Sequence, residues 1–149
     1  MPRPTGVGAH LRAVCLIGSR AYAVGDGGVV LRYDDDRWQR EESGTDRDLL
    51  TVSAHGDRAL AAGAGGTLLE RGPDGWRALD AGTEETITAV HAGSEDWIAD
   101  RAGALRRRTE AGWEADPLTH ASGWTALARD GDRLVAVGAD GAIAERAMR

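Results

Sequence analysis

The residue types that carry most protein chemistry are few in this chain and do not form a reactive pattern. His10, His55, His91 and His120 are separated by unequal intervals, so we do not expect them to converge on one metal ion. Cys15 is the only cysteine, which excludes an intrachain disulfide and a thiolate metal cluster. Its apolar neighbours in LRAVCLIG favour a small buried side chain over a reactive thiol. We therefore predict no metal, no cofactor and no thiol chemistry.

The runs of like charge in the sequence do not form a metal-binding or anion-binding motif. Residues 34–36 (DDD) and 84–85 (EE) offer carboxylates that a hard cation could use. The first run lacks the glycine and the spaced third ligand of a calcium loop, so we interpret both as solvated turns. Residues 106–108 (RRR) lie in a predicted strand, where successive side chains point to opposite faces. We expect one of these arginines between neighbouring units and the others in solvent.

These residues belong to a sequence that repeats itself four times. Similar segments begin at Leu11, Leu49, Ile87 and Trp124, with offsets of 38, 38 and 37 residues. A fixed period of this size indicates one supersecondary unit that is copied and stacked, because a single unit cannot bury its own apolar face. We predict that residues 1–149 form one domain with blade repeats starting near 11, 49, 87 and 124.

Each repeat changes from strand to turn three times. In the second copy, LLTVSAH, RALAAG, TLLER and a segment opened by Trp76 are strand-like, and glycine-containing turns separate them. Such turns need a positive φ, which glycine adopts at low cost. Four-stranded antiparallel units at this period are the blades of a β-propeller. The predicted structural residues are the strand-opening tryptophans Trp38, Trp76 and Trp113 and the turn glycines Gly28, Gly66 and Gly141.

The chain ends are predicted to complete a shared blade. Extending the spacing backwards places residues 1–5 (MPRPT) where the fourth unit lacks an outer strand, and proline is tolerated at such a sheet edge. Four blades closing alone would each turn through a quarter circle, whereas packed sheets prefer angles of about 30°. We therefore predict an eight-bladed ring made by a head-to-tail homodimer, with a closed four-bladed monomer as the alternative.

The third unit departs most from the repeat. Arg101, preceded by Asp100, is predicted to stand where the other copies have Gly25, Gly63 and Gly138, and Trp97 to replace Ala21 and Ala59. A degenerate copy reflects either drift or a partner surface.

Composition narrows the class of partner. The net charge is −6, and all 18 basic residues are arginine, without any lysine, asparagine or phenylalanine. We interpret this as a GC-rich coding sequence, consistent with a salt-adapted source. An acidic chain does not favour a phosphate-backbone ligand, so we do not expect nucleic acid binding. The first ten residues contain no apolar signal region and no stretch is long enough for a membrane span, so we expect a cytoplasmic protein.

The repeated segments resemble a known family. AVGDGGVVLR, AAGAGGTLLE and AVGADGAIAE, followed by PDGW or EAGW and then SGT or AGT, resemble the BNR-like propeller repeats of photosystem II assembly factors and their bacterial and archaeal relatives. The resemblance covers nearly the whole chain. It implies a β-propeller fold but says little about the role, since this repeat occurs in proteins of unrelated function.

Fragments of a second signature, the Asp box of sialidases, remain in DDDRW, PDGW and EAGW. In that family the box is a structural turn far from the catalytic site, so the resemblance implies tryptophans that pack between blades. Sialidase catalysis needs an arginine cluster, a tyrosine nucleophile and an acid. Here Tyr22 and Tyr33 occupy ordinary strand positions, and Arg12 and Arg129 occupy different registers. We therefore predict no enzyme.

The favoured role is a non-catalytic binding or scaffold propeller for protein–protein interaction or complex assembly. The alternatives are a lectin-like carbohydrate binder and a degenerate glycosidase-type enzyme. The partner face is predicted at the turns after the second strand and before the inner strand of each blade, where a largely acidic ring would favour a partner with a basic surface. Its candidate residues are His10, Asp26, Asp48, Glu85, Arg101 and Asp140.

Overall fold

The four repeats fold into four antiparallel sheets, each of which is one propeller blade. The fold is described from a computed structural model over residues 8–116, 123–130 and 133–147. The inner strands begin at Leu11, Leu49, Ile87 and Trp124, where the repeats begin. The predicted all-β, four-bladed propeller is confirmed.

The first two blades have four strands each, which pair in sequence order. The first blade contains β1 (Leu11–Ile17), β2 (Arg20–Gly25), β3 (Val30–Asp34) and β4 (Arg37–Glu41). The second blade contains β5 (Leu49–His55), β6 (Arg58–Gly63), β7 (Leu68–Gly72) and β8 (Gly75–Ala78).

The third blade has the same order, and the described part of the fourth has three strands. The third blade contains β9 (Ile87–His91), β10 (Trp97–Asp100), β11 (Leu105–Thr109) and β12 (Gly112–Asp116). The fourth blade contains β13 (Trp124–Asp130), β14 (Arg133–Gly138) and β15 (Ile143–Ala147). The predicted outer strand at residues 1–5 and the histidine His120 lie outside the described residues.

The core lies between blades rather than inside one. β6 reads RALAAG and is buried along its last five residues, because neighbouring blades cover both of its faces. Small alanine side chains suit this position because two sheets must approach the strand. Val24 and Val30 of the first blade pack in one cluster with Val52 and Leu69 of the second. Similar clusters join the second blade to the third and the third to the fourth.

Glycine is required at the last position of the turn between the second and third strands. Gly28 has a φ of +78°, and a Cβ there would lie 1.9 Å from the Thr45 carbonyl oxygen. Gly66 has a φ of +79°, and its Cβ would lie 2.1 Å from the Thr83 oxygen. Each contact joins one blade to the loop that opens the next. A side chain at either position would push two blades apart.

The predicted alignment of the third blade is wrong by one residue. Asp100 N donates to Ala104 O at 3.0 Å, as Gly25 N donates to Val29 O, so Asp100 rather than Arg101 takes the glycine position. In the same register, Trp97 matches the position of Leu60 rather than an alanine. The shift has a simple origin. The paired residues Val52 and Ala61 are nine positions apart in the sequence, whereas the paired residues Val90 and Ile98 are only eight positions apart.

The helical segments in the described part of the chain are single short turns, and none has the length and apolar character of a membrane-spanning helix.

Candidate functional site

The predicted partner residues lie at one end of the propeller, which we call the loop end. Asp26 N donates to His10 O at 2.9 Å, which joins the turn after β2 to the segment that precedes β1. Arg101 N donates to Thr86 O at 2.9 Å in the third blade. These bonds hold the turn after the second strand against the segment before the inner strand. The six predicted residues therefore share one end of the molecule.

Two of the predicted carboxylates take part in contacts that organise the loop end. Asp26 accepts a bidentate pair of hydrogen bonds from Arg12, both at 2.8 Å. The hydrogen bond from Arg12 lowers the pKa of the Asp26 carboxyl. Asp48 accepts from the Gly27 backbone N–H at 2.9 Å and so connects the second blade to the first. Arg12 therefore offsets part of the negative charge that the sequence predicted for this end.

The other predicted positions are less regular. Thr86, not Glu85, repeats the role of Asp48, because its hydroxyl accepts from the Gly65 N–H at 3.4 Å. Glu85 repeats Arg47 instead, since both backbone N–H groups donate to a threonine hydroxyl two residues earlier. The predicted ring of equivalent acidic positions is therefore mixed in charge.

Asp140 lies in the turn after β14 with a φ of +58°. Aspartate adopts this left-handed conformation more readily than most residues do. Gly27 and Gly65 take the same position in the first two blades, with φ values of +70° and +63°. His10 and Arg101 are exposed at the same end. The loop end thus presents carboxylates and arginines on turns whose backbone is fixed.

A groove runs along the inner strands of all four blades. Its volume is about 370 Å³, and its walls come from β1, β5, β9 and β13. Polar side chains on its surface include Ser53, whose hydroxyl accepts from the Ala92 N–H at 3.0 Å, and His91. Burial, with help from the nearby positive charge of Arg129, lowers the pKa of His91. His91 is therefore largely neutral at pH 7 and can both donate and accept hydrogen bonds.

An ion-pair network crosses from the second blade to the third at the other end of the strands. Glu70 accepts from Arg108 at 2.5 Å and from Arg77 at 2.8 Å. Arg58 pairs with both oxygens of Asp96 at 2.8 Å. Arg108, followed by Arg77, lowers the pKa of Glu70 to about 2. Because Glu70 and Asp96 are both buried, these arginines keep charged groups stable away from water.

A second polar contact joins the first blade to the second. Arg71 donates to both oxygens of Glu41, at 2.8 and 2.7 Å, and the Trp76 indole N–H donates to Glu41 at 2.9 Å. Burial raises the pKa of Glu41, but the hydrogen bonds from Arg71 and Trp76 outweigh that effect and lower it. The Tyr22 ring meets the Trp76 ring edge to face at 5.8 Å. Trp76 is therefore held from both sides.

A cleft of about 570 Å³ lies beside this contact on the second blade. Its lining includes His55, Arg58, Pro73, Trp76 and Arg77. The arginines in it already bond carboxylates of the chain. The cleft therefore presents no free cation for a ligand among its described arginines.

The predicted structural tryptophans all make packing contacts. Trp38 packs with Tyr33 at a ring distance of 5.2 Å, and Trp113 joins the cluster between the second and third blades. Trp113 also lies under the Arg108 guanidinium, 5.9 Å from its ring centre. With Trp76 between Tyr22 and Glu41, each of the three rings makes contacts within the fold.

Two further predictions about reactive groups can be compared with the structure. Cys15 packs against the cluster between the first and second blades, and burial raises the pKa of its thiol. In the run 106–108, Arg108 bonds Glu70 of the second blade, whereas Arg106 bonds Asp100 of its own blade at 2.8 Å. One arginine between blades is as predicted. The prediction that Arg106 lies in solvent is wrong, because Arg106 forms an ion pair with the buried Asp100.

Sequence reasoning missed the inter-blade carboxylates Glu41, Glu70 and Asp96. A signal was present for Glu70. In β7 it follows Leu68 by two residues, so strand alternation places it on the same inter-blade face. In the part of the chain that the structure describes, no three His, Cys, Asp or Glu side chains group as metal ligands. The charged residues of the loop end can bind a partner through charge and hydrogen bonds.

No family model matches the chain, and no curated protein matches it by sequence. Solved structures are similar in fold. The computationally designed Ika4 protein matches with a TM-score of 0.75 and 14% identity over the whole of both chains. YCF48 bound to a D1 peptide matches with a TM-score of 0.72 and 17% identity, over 99% of this chain and 53% of that one. The WD40 β-propeller domain of Doa1 matches with a TM-score of 0.76 and 15% identity, over 94% of this chain and 52% of that one. The chain therefore spans all of Ika4 and about half the length of the other two.

Proposed function

We propose that the chain is a non-catalytic propeller that binds other proteins, with the loop end as its partner face. The observation that carries this proposal is the set of charged side chains that the loop end presents on fixed turns, Asp26 and Asp48 among them. Preorganised charged groups steer a complementary partner and fix its orientation. The structure of YCF48 with a D1 peptide is an example of a similar fold that binds protein.

The partner that fits best carries a basic surface. Asp48 and Asp140 project from loops at this end, and Asp48 is exposed. Arg12 pairs with Asp26, whereas Asp48 is exposed and bonds the Gly27 backbone N–H, so we expect a basic partner to contact Asp48. A basic segment of a partner would meet these carboxylates without desolvating a large area. The interaction would then weaken as salt increases.

The test removes charge while it keeps shape. Asparagine at Asp26, Asp48 and Asp140 removes three negative charges, still accepts a hydrogen bond from Gly27 N–H, and tolerates the positive φ at position 140. The control changes Asp34, Asp35 and Asp36 to asparagine. These three residues carry the same charge but lie around the turn between β3 and β4, at the opposite end of the blade.

Proteins captured from the native host at low salt should be lost with the loop-end variant and kept with the control. Equal capture by both variants would assign binding to another surface. A glycan array run in parallel addresses the lectin-like alternative. Binding of a defined glycan, without capture of any protein, would replace the proposed function with carbohydrate binding.

We also propose that the working form is a homodimer, because Val14 of the first blade and Ile143 of the fourth are exposed at positions that the other blades bury.

A further inference from the structure

The first blade exposes an apolar surface that is buried in the blades that follow it. Val14 of β1 is 63% exposed, whereas Val52 and Val90, at the same position of the next two inner strands, are 8% and 6% exposed. Leu11 is 45% exposed, and its counterpart Leu49 is fully buried. In the second and third blades this surface is covered by the preceding blade. We call the surface made of Leu11, Val14 and Leu16 the leading face.

The fourth blade exposes the opposite surface. Ile143 of β15 is 70% exposed, whereas its counterparts Val30, Leu68 and Leu105 are 0%, 1% and 0% exposed. Val137 is exposed as well. In the first three blades this surface is covered by the following blade. We call the surface made of Ala126, Ala128, Val135, Val137 and Ile143 the trailing face.

The turn glycines give an independent sign of the same difference. A Cβ at Gly28 or Gly66 would collide with the loop that opens the following blade. Gly141 has the same left-handed conformation, with a φ of +74°, but a Cβ there would have no other atom within 4 Å. The space that a following blade would fill beside Gly141 is open.

We propose that the leading face of one chain binds the trailing face of a second copy, so that two chains close one eight-bladed ring. This rests on the homodimer of the proposed function and specifies its interface. The complementarity is internal to the chain. Val24 and Val30 of one blade already pack with Val52 of the next, and Val137, Ile143 and Val14 repeat those three positions. The same pair of surfaces meets at the three blade interfaces within the chain. A second copy would supply each unpaired face with the surface that it matches.

A second copy fits these faces better than the same chain does. Val14 and Leu16 of the leading face and Val137 and Ile143 of the trailing face stay exposed in the single chain, so the fourth blade does not cover the first in the way that neighbouring blades cover each other. Twofold closure also leaves neither face open.

The proposed ring changes the inner groove. In one chain the groove is formed by four inner strands that carry Ser53, His91 and Thr125. In the ring a second set of the same strands would face it across the axis. The groove is therefore half of a polar channel, and the channel is incomplete without the partner copy.

Light scattering coupled to size exclusion, at micromolar concentration, tests the assembly without reference to any other partner. We expect twice the 15.7 kDa chain mass. Val14→Asp and Ile143→Asp should each give the mass of one chain, because each places a carboxylate in the interface. Ala111→Asp, in the exposed turn between β11 and β12, is the control and should keep the double mass. A folded wild-type chain of single mass would overturn the proposal.

Cross-linking tests which faces meet. In a Cys15→Ser background, Val14→Cys and Ala128→Cys repeat the positions of Val52 and Cys15, which share a cluster between the first two blades. A mixture of the two single variants should give a covalent pair of chains on oxidation, and each variant alone should not. A double variant that forms only a bond within one chain would show self-closure. Equal partner capture by the loop-end and control variants, together with an intact double mass, would count against the partner face and leave the ring interface standing.

Discussion

Replacing Glu70 with glutamine should destabilise the fold strongly at neutral pH and weakly in acid. Glu70 is 7% exposed, and its carboxylate accepts from Arg108 and Arg77. Its pKa is lowered from 4.5 to about 2. Since one pKa unit corresponds to about 1.4 kcal/mol, ionised Glu70 contributes on the order of 3 kcal/mol at pH 7. Glu70→Gln removes that contribution and leaves the arginines with a weaker acceptor.

The sign of the pH dependence follows from the direction of the shift. The folded chain holds the Glu70 proton more weakly than the unfolded chain does, so the stabilisation is complete above the unfolded pKa near 4.5. It is lost as the pH falls toward the folded pKa near 2. The difference in unfolding free energy between wild type and variant should therefore shrink from roughly 3 kcal/mol at pH 7 to about 1.4 kcal/mol at pH 3.

Urea unfolding at pH 7, 5, 4 and 3 measures this difference at one fixed protein concentration. Glu114→Gln, at an exposed position of β12, is the matched control and should change the unfolding free energy by less than about 0.5 kcal/mol at each pH. A Glu70→Gln difference that stays constant from pH 7 to pH 3 would refute the argument, because the loss would then come from shape rather than charge.

The remaining predictions concern a turn and the cysteine. Gly44→Ala should cost about 1–2 kcal/mol for its φ of +81° alone, since its Cβ would meet no other atom. Position 28 has nearly the same φ, but the Cβ of Gly28→Ala would also collide with the Thr45 carbonyl. Thermal or urea unfolding should therefore show a loss of unfolding free energy at least about 2 kcal/mol larger than for Gly44→Ala. Equal losses would contradict the close approach of the blades. Cys15→Ser should cost about 1–2 kcal/mol because it places a hydroxyl at a half-buried position that packs against the core. Cys15 should react slowly with an alkylating reagent at pH 8 because its pKa is raised. Rapid stoichiometric labelling of the folded chain would contradict that burial.

The sequence contained enough information for the fold because the signal repeats. Leu49, Ile87 and Trp124 open their inner strands where the period places them, and the glycines mark turns whose conformation other residues adopt at a cost. The error in the third blade has a definite cause. One residue is missing between β9 and β10, so counting a constant 38 residues from Gly63 reached Arg101 when the backbone pairing selects Asp100.

The candidate site was less accessible to sequence reasoning. The end of the propeller on which Asp26 and Asp48 lie follows from the strand order, so topology was sufficient. Topology did not predict the pairing of Arg12 with Asp26, because that pairing depends on how the inner strand and the turn after β2 meet in space. The partners of Glu70 come from residues 7 and 38 positions away, and the chain's many arginines gave no way to choose between them.

Three of the ion pairs between blades share one direction along the chain, while the Arg58–Asp96 and Arg20–Asp57 pairs run the other way. Arg71, Arg108 and Arg146 each lie in a later blade than the carboxylate that they bind, Glu41, Glu70 and Asp116 respectively. A ribosome makes the carboxylate first and delivers its arginine about 30 or more residues later. In these three pairs the earlier blade carries the carboxylate, and the later blade brings the cation that neutralises it.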